Sequence, residues 1–337
     1  MNKTNDSSTE CQLKQQVFWT WFEEPKMNKQ ESHLLIKLSD FSHKFCSLNL
    51  RNETFIRPQH IMNNKIGMNL LLWGTEINES LFPVLEEIKA IGYDGVEIPI
   101  FNTDPEHWKS WRKKINELEL SPVAVTINGP EHNQISADAS IRKSTLERNK
   151  MALECAAMLG STLLTGPFHS ALGVFSGTKA SEEEKKWAVE NLYLLSEHAS
   201  SLNITLCLEY LNRFESYLVS CADELIDLVN EINHPNCKMM FDSFHANIEE
   251  KNMSTAIEKM GSKLVHVQLS ENDRSTLGKG HINFPEIINA LKKINYQGMI
   301  SIEAFSTKLS AANIWRKMFN NESELMNDSF NYLKQLS

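Results

Sequence analysis

From residue 66 onward the chain repeats one alternation, a short β-rich apolar run followed by an amphipathic helical stretch. The β-rich runs are "KIGMNLLLW" (65–73), "GVEIPI" (95–100), "PVAVTI" (122–127), "STLLTG" (161–166), "ITLCLEY" (204–210), "CKMMFD" (237–242), "LVHVQL" (264–269) and "MISIEAF" (299–305). Helical spacing of apolar residues fills the gaps, as in "LFPVLEEIKAI", "IRKSTLERNKMALECAAML" and "FPEIINALKKI", and a last helix is expected in "SELMNDSFNYLKQL". Strands separated by helices pair in parallel, because a tight turn cannot bring the chain back to the same end of the sheet. Eight such units suit a closed (β/α)8 barrel, which takes about 250 residues. An open doubly wound sheet would bring a Gly-rich phosphate loop after its first strand, and "LLLWGTEINES" holds no GxGxxG. The expected class is therefore α/β, a (β/α)8 barrel. Glycines just before strands, in "AIGYDGVEI" and "MLGSTLL", suit the helix ends of such a barrel.

Residues 1–64 break the pattern. They contain none of the 13 glycines and are rich in Asn, Gln, Lys and Ser, with apolar patches only at "VFWTWF" and "HLLIKLSDF". The expected organisation is an N-terminal extension, partly helical or disordered, over 1–64 and a barrel over 65–337. Met27, Met62 and Met68 each offer an alternative start.

A net charge of −9 without a basic stripe argues against nucleic acid as partner, since phosphate recognition rests on clustered Lys and Arg. No apolar run approaches the roughly 18 residues of a membrane span. Six scattered cysteines (Cys11, Cys46, Cys155, Cys207, Cys221, Cys237) form no CxxC pair, and no signal pattern opens the chain. A reducing cytoplasmic location is expected.

In a (β/α)8 barrel the chemistry sits at the C-terminal ends of the strands. The fifth run ends on Glu209. The sixth ends on Asp242, with His245 three residues later. The seventh carries His266 and Gln268 on one face, and the eighth carries Glu303. Glu209, Asp242, Gln268 and Glu303 thus come from four consecutive, neighbouring strands. Three carboxylates in a low-dielectric mouth require a counter-charge. A divalent cation supplies it, and three carboxylates with an amide oxygen make an all-oxygen site suited to Mg²⁺ or Mn²⁺. Any one of these acids alone could as well cap a helix. His266 alone reads as a hydrogen-bonded core residue. Trp73, Phe101 and Phe168, near strand ends, would form an apolar wall.

The motifs "GYDGVEIP", "GPFHSALGVFSG", "LEYLNRFES", "MMFDSFHANIEE", "HVQLSENDR…GKGH" and "GMISIEAF" resemble those of the D-tagatose/D-psicose 3-epimerase family, within the xylose isomerase-like sugar isomerase and epimerase barrels. The resemblance runs from Ile66 to about Phe305. It implies that Glu209 and Glu303 bind metal and act as acid and base, and that Asp242 is a third ligand. It also implies that Glu215, His245 and Arg274 hold the sugar. Those epimerases place His-x-His on strand seven, with the second His as ligand, and here that slot is Gln268. An amide oxygen in place of an imidazole nitrogen leaves the charge unchanged and moves the preference toward harder ions.

The activity so implied is epimerisation at C3 of a ketose, by proton removal and return through an enediolate. An aldose–ketose or hydroxypyruvate-type isomerase on the same metal site is the alternative, since hydroxypyruvate isomerases resemble this chain in having Gln at that slot. An endonuclease-like branch of the barrel would need a His-rich multi-zinc site and a basic face. A barrel degraded to a binding module would have lost its strand-end acids. The absence of a Gly-rich phosphate loop after strands seven and eight favours an unphosphorylated sugar, and the resemblance implies a homodimer or tetramer.

Overall fold

The computed structural model describes residues 63–336. The expected N-terminal extension lies outside them except for Asn63 and Asn64. All eight β-rich runs form strands: β1 (Ile66–Asn69), β2 (Gly95–Pro99), β3 (Ser121–Val125), β4 (Leu163–Gly166), β5 (Thr205–Leu208), β6 (Cys237–Asp242), β7 (Leu264–Leu269) and β8 (Ile300–Ile302). They pair in parallel in chain order and close where β1 meets β8, with Met68 opposite Ile302. The closed barrel is therefore the fold, and the open sheet is excluded. Several strands are shorter than the runs that announced them. The first run leaves the sheet at Leu70–Trp73, which winds into a 3-10 turn because the Asn69 side chain accepts a hydrogen bond from the Leu71 amide.

Helices α1 (Phe82–Ile91), α2 (Trp108–Glu117), α3 (Ala139–Leu159), α4 (Glu182–Ser201), α5 (Ala222–Ile232), α6 (Ser243–Glu249), α7 (Met253–Met260), α8 (Phe284–Lys293) and α9 (Glu322–Leu336) follow in turn. Gly92 and Gly160 end α1 and α3 at φ 115° and 91°, a left-handed conformation that a Cβ would oppose. A capping box between Ser181 and Glu184 starts α4. On α8, Phe284, Ile287, Ile288 and Leu291 share one buried stripe at helical spacing. Burying each contributes about 1.5–3 kcal/mol.

The short helix α6 was not expected from "FDSFH". It forms because Oδ1 of Asp242, the last residue of β6, accepts from the Phe244 amide at 2.9 Å. Strand alternation then divides the barrel. Val96, Ile98, Val267 and Leu269 belong to the core shared with the helices, while Glu97, His266 and Gln268 meet inside the barrel. A cleft of about 640 Å³ opens at the C-terminal ends of the strands.

Candidate active site

Glu209 and Glu303 line this cleft from two strand ends, and Asp242, from a third, lies buried behind Arg274 and His245, which line it too. Glu209 is the first residue past β5 and Glu303 the first past β8, and both continue the ladder. The Glu209 amide donates to the Gly166 carbonyl at 3.3 Å and the Glu303 amide to the Leu269 carbonyl at 2.9 Å. Asp242 closes β6. All three are buried. Asp242 uses both oxygens, Oδ1 on the α6 cap and Oδ2 toward Arg274 Nη1 at 2.8 Å. The cap and the contact with Arg274 thus coexist on one side chain.

Arg274 supplies a counter-charge here. Its Nη1 donates to Asp242, to Glu303 Oε2 and to Ser270 Oγ. The guanidinium lies 3.7 Å from the Phe244 ring centre and 4.5 Å from that of Phe305, so cation–π contact adds to its placement. Its backbone has φ 60°, uncommon for a side-chain-bearing residue and frequent where function holds a residue in place. Burial, then the Asp242 and Glu303 charges, push the Glu209 carboxyl well above the ordinary range. Burial raises Glu303 well above it too, against the pull of Arg274. Asp242 is raised by burial and restrained by Arg274. Burial works against the Arg274 charge, but Glu303 and Asp242 outweigh it and its pKa is raised.

His245 is buried beside these acids, its Nε2 3.4 Å from Asp242 Oδ2 and 3.6 Å from Glu209 Oε1. Its Nδ1 accepts from the Asn212 backbone amide at 3.1 Å. A backbone N–H can only donate, so the ring proton of the neutral form belongs on Nε2. Burial, then Arg274, hold the imidazole pKa well below its usual value, which keeps that neutral form. Arg274 Nη2 stands 3.2 Å from Nε2. With its proton on Nε2 the ring does not bond to Arg274, which can only donate, and Nε2–H faces the Asp242 and Glu209 oxygens. The Asn212 side chain also donates to Glu215 Oε1 at 2.8 Å, and Glu215 lines the cleft.

Gln268 lines the cleft as well, from β7 opposite Asp242. Its Nε2 donates to both Glu97 oxygens, at 3.2 and 3.0 Å, while its buried Oε1 has no hydrogen-bond partner among the described residues. His266 Nε2 donates to Glu97 Oε1, so His266 is the hydrogen-bonded interior residue expected of it. Glu97, Asn69 and His169 escaped the sequence reading. Asn69 Nδ2 donates to Glu303 Oε1 at 3.1 Å. His169 Nε2 donates to the Glu209 carbonyl at 2.9 Å, and burial lowers its pKa to about 4. One signal was available for Glu97, an acid in mid-strand within "GVEIPI". The proposed aromatic wall needs correction. Phe101 does line the cleft. Phe168 is fully buried, and Trp73 packs against the hydrophobic core.

These donors suit a hard divalent cation. Ligand atoms of Glu209, Asp242 and His245 lie within 4.8 Å of one another, and the unpartnered Gln268 oxygen is the kind of atom a cation satisfies. A proton on His245 Nε2 removes the lone pair that a metal would need, which leaves the oxygens as the better donors.

The profile of the xylose isomerase-like TIM barrel family matches residues 85–336. The chain belongs to this family, in its D-tagatose/D-psicose 3-epimerase-like branch, and is an isomerase-class enzyme. It is 31% identical to D-psicose 3-epimerase of Enterocloster bolteae over 79% of this chain and 92% of that one. It is 32% identical to D-psicose 3-epimerase of Ruminiclostridium cellulolyticum over 78% and 93%. Among solved structures, D-allulose 3-epimerase from Methylomonas sp. in complex with D-allulose superposes with a TM-score of 0.77 at 26% identity, covering 81% of this chain and 97% of that one. No helix among the described residues is long and apolar enough to cross a membrane.

Proposed function

We propose that this chain is a divalent-metal-dependent ketose 3-epimerase, with Glu209 and Glu303 as its acid/base pair. The observation that carries the reading is the convergence of Glu209 and Glu303 on a cleft large enough for a sugar, with Asp242 buried beside them. Glu209, Asp242, Gln268 and Glu303 would hold Mn²⁺ or Mg²⁺. When bound, the cation polarises the ketose carbonyl as a Lewis acid.

The rest falls to the chain's own residues. One of Glu209 and Glu303 takes the C3 proton, giving an enediolate, and the other returns a proton to the opposite face. Burial raises both carboxyls above their ordinary range, the direction in which an acid must move to hold a proton for transfer. His245 and Arg274 donate to sugar oxygens, and Glu215 accepts from a hydroxyl. Burial of the acids keeps bulk water away from the enediolate during the transfer, while the glutamates exchange their protons with solvent between turnovers.

The substrate is a free ketose rather than a phosphorylated one. In the loop after β7 the amides of Asn272, Gly278 and Ile282 already donate to the Glu271 carboxylate, so they are spent for an anion. An isomerase reading, with the proton moved between C1 and C2, draws on Gln268 alone. The catalytic unit is residues 65–337, with 1–64 appended. Among the described residues Cys155, Cys207, Cys221 and Cys237 are unpaired, which accords with a cytoplasmic setting, and a homo-oligomer is part of the proposal.

The test is replacement of each glutamate by glutamine at saturating Mn²⁺. Glu209→Gln and Glu303→Gln should each lose turnover by at least about 10²–10⁴-fold, the usual contribution of general acid–base catalysis. Near-normal activity in either variant would remove that residue from the mechanism.

A further inference from the structure

Gln268 occupies the place where the epimerases that this chain resembles carry a histidine, and an amide brings a problem that imidazole does not. Its two ends are alike in size and opposite in character. Turned one way it offers a cation an oxygen, and turned the other way an NH₂ group that repels it. The chain must fix the amide, or the ligand is lost about half the time.

The geometry points to Glu97 as the positioning residue that fixes it, with His266 holding Glu97 in turn. This inference rests on the reading of Gln268 as a metal ligand. Glu97 stands on β2 and reaches across the barrel interior, past β1 and β8, to β7. Both of its oxygens accept from Gln268 Nε2, and Oε1 also accepts from His266 Nε2. Glu97, His266 and Gln268 are 0%, 0% and 2% exposed, so water cannot substitute for these bonds. A carboxylate only accepts. Beside Glu97 the amide must present its nitrogen, and its oxygen is left to the other side. That oxygen is the buried atom without a partner, and the side chain lines the cleft with Glu209 and Glu303. An amide held by its nitrogen with an unsatisfied oxygen is what a hard-cation ligand requires before the cation arrives.

His266 has its own part. Its Nε2–H is a fixed donor two residues before Gln268 on the same strand face, and it keeps Glu97 Oε1 from swinging toward the mouth. Glu97 touches neither sugar nor cation in this account and acts only through Gln268.

The test is Mn²⁺ binding by calorimetry on full-length wild type, Glu97→Gln, Gln268→Ala and the double variant. Glu97→Gln conserves shape but can accept or donate, so the Gln268 amide loses its preference. Its Mn²⁺ affinity should fall about 10–100-fold, the usual effect of disturbing the group behind a ligand, with the melting temperature of metal-free protein little changed. Gln268→Ala should fall comparably, and the double variant no further. Unchanged affinity in Glu97→Gln, or losses that add in the double variant, would overturn the role of Glu97. Unchanged affinity in Gln268→Ala would overturn the ligand itself. Absence of Mn²⁺ binding by wild type would remove the metal-dependent reading and this inference with it.

A measurement on wild type serves if Glu97→Gln does not fold. In glutamine-labelled protein, Mg²⁺ should shift the Gln268 side-chain carbonyl carbon while its amide protons stay protected from solvent exchange. Freely exchanging amide protons with an unmoved carbonyl would overturn the assignment.

Discussion

Replacing Arg274 by methionine isolates the worth of its charge. Methionine keeps an apolar stem between Phe244 and Phe305 but removes the cation that touches Asp242 and Glu303. Removing one partner of a buried ion pair costs about 3–5 kcal/mol when the other charge is stranded. Here the stranded carboxylate has an escape, because it can take up a proton. For Glu303, with an ordinary value of 4.5, neutralisation at pH 7 costs at most about 3.4 kcal/mol at 1.36 kcal/mol per pH unit. At pH 5 the same arithmetic leaves about 0.7 kcal/mol. Burial already holds Glu303 above its ordinary range, so the measured losses should fall below these ceilings. The proton is bound by the folded variant, so its deficit shrinks as pH falls. Urea unfolding of metal-free wild type and Arg274→Met at pH 7 and pH 5 reads both numbers. A deficit equal at the two pH values would refute the counter-charge reasoning and assign the loss to packing.

Asn69→Ala strips a donor from Glu303 Oε1 and an acceptor from the Leu71 amide. It should cost about 1–3 kcal/mol in unfolding experiments and lower kcat more than it changes KM, because Glu303 loses its orientation. His169 is held neutral at about 4 against an ordinary 6.5. The unfolded chain therefore binds a proton first as pH falls, and up to about 3 kcal/mol of stability should be lost between about pH 6.5 and 4. His169→Asn, compared with wild type by urea unfolding at the two ends of that window, should lack this component. Gly160→Ala places a Cβ at φ 91° and should cost about 1–2 kcal/mol, seen as a lower melting temperature with Mn²⁺ affinity unchanged.

The fold was legible because the signals that define it are local. Period-two runs, helical spacing and helix-ending glycines each occupy a few neighbouring residues, and Gly92 and Gly160 do end helices where the pattern placed them. The strand-end acids were legible for a related reason, since chain order in a barrel is also spatial order. What chain order does not carry is reach across the interior. Glu97 lies 169 and 171 residues from His266 and Gln268, and nothing local to "GVEIPI" names its partners. Helix α6 hid because a cap on Asp242 outweighed the expectation of a loop. Phe168 and Trp73 were misplaced because position near a strand end does not say which way a ring turns.

The most direct test of the central claim is proton exchange. Purified protein would be incubated with Mn²⁺ in D₂O and a panel of free ketoses, and deuterium followed by NMR. The account predicts incorporation at C3, with formation of the C3 epimer abolished in Glu209→Gln and Glu303→Gln. Incorporation at C1 alone would contradict the 3-epimerase assignment in favour of an isomerase on the same site, and exchange that persists without any divalent metal would contradict the metal centre.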